Sequence, residues 1–157
     1  MDHVRTSAST HFLAHPAVTS RLHDFQFGVC DLSVLHFPRF DLNDKLDRKK
    51  AHAVNMRNFS TKVDLPHIPE NPEYSDLTES LTVLHIFAKE FFDSITREFV
   101  EAAKEFCETL NDFAPWSSRE VHILAFWFSN VFAAYRLAVV NDLRTGVTRS
   151  RPTSCIE

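Results

Sequence analysis

The chain has 157 residues, 44% of them apolar and 24% charged, with a net charge of −4. These values fit one soluble globular domain and exclude a global positive field that would draw the chain to nucleic acid. Two glycines argue against an all-β fold and against a Gly-rich phosphate loop, and three scattered cysteines without a CxxC exclude a disulfide framework or a zinc ribbon. Fifteen phenylalanines stand against two tyrosines and two tryptophans. Phe has large area and no polar handle, so most of these rings are expected in a core or an interface.

Residues 1–35 show no sustained apolar period. The opening "MDHVRTSASTHFLAHPAV" lacks the apolar stretch of a signal peptide, so the expectation is a nuclear or cytoplasmic protein that is not secreted. His11 and His15 lie four apart, but no helix is predicted there and no further ligand completes a metal set, so they read as solvated loop histidines. Residues 36–75 contain four prolines, and Pro66, Pro69 and Pro72 block a regular helix. This half is predicted irregular, with a short helix near Leu42–Met56. Within it, "DKLDRKK" makes Arg48, Lys49 and Lys50 candidate phosphate contacts, together with Arg144, Arg149 and Arg151 near the other end.

Order is predicted from Asp76, where "DLTE" has the spacing of a capping box with Glu79. From Leu77 to Leu110 apolar residues recur at gaps of three and four, so one helical face stays apolar. Asp93-Ser94 can cap a second helix, which places a break near Phe92. Pro115 ends the second helix, and Ser117 with Glu120 forms another capping box. Val121–Val140 is then almost continuously apolar, with no formal charge before Arg136. It is long enough to span a membrane, but a buried central helix is the expectation. The fold class is therefore mainly α: an irregular N-terminal half (1–71), a domain of two to four packed helices (72–143) and a basic tail (144–157). Phe87, Phe91, Ile95, Phe99 and Phe106 are expected to pack on Ile123, Phe126 and Phe132.

No catalytic constellation is visible. Glu98, Glu101, Glu105 and Glu108 recur at helical spacing but read as a solvated face, and no Glu-x-x-His pair accompanies them. No GxSxG, Walker or Cys/His nucleophile pattern occurs. No cofactor and no small-molecule substrate are implied.

The stretch "LTVLHIFAKEFFDSITREFVEAAKEFCETLNDFAPWSSREVHILAFWF" resembles the opening of the conserved region of piggyBac-type transposases and their domesticated relatives. The resemblance rests on Phe87, Phe91, Asp93, Ile95, Phe99-Val100, Phe106, Trp116 and Phe126 in the family's order and spacing. Ala103-Lys104 stands where the family has Thr-Asn. The resemblance implies a helical region ahead of the catalytic core that contributes to homodimerisation and DNA binding. It places the family's catalytic aspartates beyond the matched stretch, so the chain is expected not to be an enzyme. Separately, "ILAFWFSNVFAAYRL" resembles a helix of dilute-type domains through Phe126, Trp127, Ser129 and Asn130. That resemblance implies a helical module that binds a protein partner.

Overall fold

The computed structural model describes residues 15–23, 25–28, 32–39 and 64–146. Four helices occur among them: α1 (Pro16–His23), α2 (Tyr74–Phe91), α3 (Ser94–Leu110) and α4 (Ser118–Thr145). Two short 3-10 turns accompany them, Val34–His36 before α2 and Asn111–Phe113 after α3. The mainly α class is thus the observed one. The expected helix near Leu42–Met56 lies outside the described residues, as do Arg48, Lys49, Lys50, Arg149 and Arg151.

The helix boundaries follow local chemistry. Asp93 caps α3: its Oδ1 accepts the Ile95 and Thr96 amides, at 2.9 and 3.0 Å. Burial pushes the Asp93 pKa up, but the hydrogen bonds from Thr96 and Ile95 outweigh it and hold the carboxyl below the usual value. Ser117 and Glu120 form the expected capping box of α4, with the Ser117 amide donating to Glu120 Oε2 at 2.8 Å. Gly146 closes α4 in the left-handed conformation, φ 66°, which a glycine adopts without strain. Arg144 and Thr145 therefore belong to α4.

One cap differs from expectation. Asp76 is not the N-cap of α2 but its third residue, where its Oδ2 accepts the Glu73 amide at 2.8 Å. Tertiary packing adds this extra turn. Tyr74 stacks on Trp116 with centroids 5.8 Å apart, and its hydroxyl donates to the Cys107 carbonyl.

α1 was not predicted. His15 precedes it and accepts the Ala17 amide on Nδ1 at 3.2 Å, while Pro16 occupies the first helical position, where a missing N–H costs nothing. After α1 the chain turns through Phe25, at φ 53°, and Gly28, at φ 67°. A left-handed Phe is strained by about 1 kcal/mol or more. The ring contacts of Phe25 with Phe27, Phe92, Phe132 and Tyr135, at 5.1–5.9 Å, offset that strain.

A single core results. α2 packs on α3, on α4 and on the Val34–His36 turn. α3 and α4 meet through rings: Phe99 stacks on Tyr135 at 4.2 Å and meets Phe132 edge-on at 5.7 Å. Phe25, Phe27, Leu32, Val34, Leu35 and Phe37 are buried in the same cluster as Leu77, Leu84, Phe87 and Phe132. The 71/72 boundary therefore does not separate two cores. Ser129 of α4 ties the segments together: its Oγ accepts the Val34 amide at 3.3 Å and donates to the Ala125 carbonyl at 2.7 Å.

Candidate interaction surface

The long α4 helix departs most from expectation. Its inward stripe, Val121, Ala125, Phe128, Phe132 and Tyr135, is buried as an apolar helix should be. The opposite face is not. Ile123, Phe126, Trp127 and Leu137 are 58, 69, 37 and 63% exposed, with Asn130 and Ala134 exposed between them. At 100° per residue these six fall on one side of the helix, with Asn130 near the middle. A charged residue does not occur from Val121 through Tyr135.

Two expectations are corrected here. α4 is long and apolar enough to cross a membrane, but only 28% of its most apolar stretch is buried, so it is not a buried central helix. Ile123 and Phe126 do not pack on the α3 stripe, and Ile95 is 50% exposed. The reason is geometric. An α-helix with apolar residues all round can turn only one side to two neighbours, and Phe128, Phe132 and Tyr135 already fill that side.

The other motif positions are structural. Phe87 is buried and stacks on Phe91 at 4.4 Å, Phe99 and Val100 are buried, and Asp93 caps α3. Trp116 stacks on Tyr74 and donates from Nε1 to the Leu110 carbonyl at 3.0 Å. Phe106 is half-buried beside Trp127, with centroids 5.6 Å apart, and so reaches the edge of the exposed α4 face. Of the six candidate phosphate contacts, Arg144 is the one described; it is exposed in the last turn of α4. Trp127, Asn130, Ala134 and Leu137 were missed as surface residues, although their uncharged heptad-like spacing was present in the sequence.

Two further groupings of polar and titratable side chains lie off this face. An open cleft of about 270 Å³ is lined by Phe25, Phe92, Thr96, Tyr135, Arg136, Val139 and Val140. Within it Tyr135 donates to Thr96 Oγ1 at 2.9 Å, because Thr96 itself donates to the Asp93 carboxylate, an acceptor only. Burial pushes the Tyr135 pKa up, so the phenol stays protonated. The cleft is smaller than most ligand pockets. Among the described residues no group of three or more His, Cys, Asp or Glu is placed to hold a metal ion.

His85 of α2 is the second. It is buried, its Nε2 has no hydrogen-bond partner, and Glu101 Oε1 stands 3.9 Å away, outside hydrogen-bond reach. Burial pushes its pKa below the ordinary 6.5, Lys89 and Lys104 act in the same direction, and Glu101 and Glu105 oppose them. The unfolded chain then takes up this proton more readily than the folded one. The stability contribution is complete above the unfolded value and is lost as pH falls from there towards the folded value. Thermal melts from about pH 7.5 to about pH 5.5 should show a falling Tm, and His85→Leu should flatten that slope. An unchanged slope in the variant would show that the pH dependence does not come from His85.

Comparison with known proteins finds no matching family model, no matching curated protein and no matching solved structure.

Proposed function

We propose that this chain is a non-catalytic helical docking module whose working surface is the outer face of α4. The observation that carries this reading is the exposure of Ile123, Phe126, Trp127 and Leu137 on one uncharged helical face. Soluble proteins rarely leave a contiguous apolar patch of more than a few hundred Å² uncovered unless something binds it. Aromatic residues at the centre of such a patch are the usual energetic anchors of an interface.

The reading agrees with the partner-binding role implied by the resemblance to dilute-type domains. It also agrees with the association role, though not the DNA role, implied by the resemblance to piggyBac-type transposases. Support for DNA binding is thinner among the described residues, where Arg144 is the single candidate phosphate contact and the acidic Asp142 stands two residues before it on α4.

At submicromolar concentration the protein should bind an apolar fluorescent dye. The double variant Phe126→Gln, Leu137→Gln should lose more than about half of that binding with unchanged helical circular dichroism. A monomer that binds no dye, or dye binding untouched by the double variant, would overturn the proposal.

A further inference from the structure

We infer that the partner docked on the α4 face is a second copy of this chain, in an antiparallel α4–α4 pair whose two-fold axis passes by Asn130. The inference rests on the reading of α4 as a docking surface and adds the occupant and its register.

Self-complementarity about one residue supports it. Phe126 and Trp127 lie four and three residues before Asn130, and Ala134 and Ala133 lie four and three after it. A two-fold axis perpendicular to α4 at Asn130 maps each position before it onto the matching position after it in the other copy. Trp127 of each copy then lies over Ala134 of its partner. Phe126 lies beside the partner's Ala133 and Leu137, and Ile123 reaches the partner's Leu137. Near the axis the large rings of Phe126 and Trp127 meet the small Ala133 and Ala134, which lets the helices approach closely, while Ile123 and Leu137 meet at the ends. Asn130 meets its own copy on the axis, where one side-chain amide can donate to the other's carbonyl.

Gly28 keeps the flank of this surface low. A Cβ there would stand 3.3 Å from Ala133 Cβ and 3.7 Å from Asn130 Oδ1. The N-terminal segment therefore crosses α4 closely at this point, and only glycine keeps that crossing thin.

Area and charge also favour a second copy. Ile123, Phe126, Trp127 and Leu137 leave roughly 500 Å² exposed per chain, so a pair that covered all of it would bury about 1,000 Å², the lower limit for a specific interface. The absence of charge from Val121 through Tyr135 gives a charged partner segment nothing to recognise. A lipid surface fits less well, because Asn130 would stand in hydrocarbon without a partner at the centre of the face.

The test uses the full chain in sedimentation equilibrium. The wild type should form a concentration-dependent dimer. Phe126→Glu should raise its dissociation constant about tenfold or more, with helix content unchanged because Phe126 is outside the core. Ala134→Phe adds apolar area but fills the space facing Trp127, so it should also weaken the dimer; a stronger dimer would overturn the register. With Cys30→Ser and Cys155→Ser in place, Asn130→Cys should oxidise rapidly to a covalent dimer, since the axis brings the two Cα atoms within about 7 Å. Arg97→Cys, on the exposed side of α3, should not.

A monomer that binds dye through α4 would overturn self-association while leaving the docking surface. So would a monomer that binds phosphatidylcholine vesicles, with lipid then the occupant. A dimer indifferent to Phe126→Glu would overturn both readings.

Discussion

Phe132→Ala should destabilise the protein by about 4 kcal/mol. Phe132 is fully buried on α4 and is the ring where three parts of the chain meet. It lies 4.9 Å from Phe27, 5.6 Å from Phe25 and 5.7 Å from Phe99, centroid to centroid. Truncation removes the transfer free energy of the ring and leaves a cavity lined by other rings that cannot all close in. For a chain of this size that corresponds to a fall in Tm of roughly 10 °C. Phe126→Ala, six residues earlier on the same helix, should change the stability of the isolated chain by less than about 0.5 kcal/mol, because Phe126 is 69% exposed. Urea unfolding of the two variants measures the contrast. Similar losses in both would mean that the outer face of α4 is covered within the chain.

A chain begun at residue 64, and so lacking α1 and the Val34–His36 turn, should lose its cooperative thermal transition. The deletion removes Val18, Leu22, Phe25, Phe27, Leu32, Val34, Leu35 and Phe37, all buried in the shared core. Full burial of one such side chain contributes about 1.5–3 kcal/mol, so eight of them outweigh the 5–15 kcal/mol net stability typical of a small domain. The inner faces of α2 and α4, with Leu84, Phe87 and Phe132, would be left open to water. The expected signature is retained helical circular dichroism with a broad melt. A sharp melt near the Tm of the full chain would show that α2, α3 and α4 fold as a unit by themselves.

Much of the helical part was legible because its signals are local. The Asp93 cap, the Ser117–Glu120 box and the Pro115 break each act within a turn of chain, so residue type and spacing were enough. The start of α2 was misplaced by one turn because Tyr74 is held by Trp116 and Cys107, both far along the chain. Residues 1–35 carry no sustained apolar period, so nothing in the sequence marks α1, and the described part of the Phe25–Phe37 segment is largely without regular structure. Its burial comes from neighbours on α2 and α4, which a periodicity analysis cannot register.

The candidate surface shows the same division. Sequence alone determined that a long apolar helix follows Ser117 and runs through Val121–Val140, because the capping box and the absence of charge act along the chain; its extension to Thr145 came with the structure. Which apolar residues are inside was a tertiary decision. Phe126 and Phe128 are equally hydrophobic and two positions apart, about 200° around the helix. Phe128 faces Phe106 and the core, while Phe126 faces outward. Composition cannot separate them, because burial depends on which side of a helix its neighbours occupy.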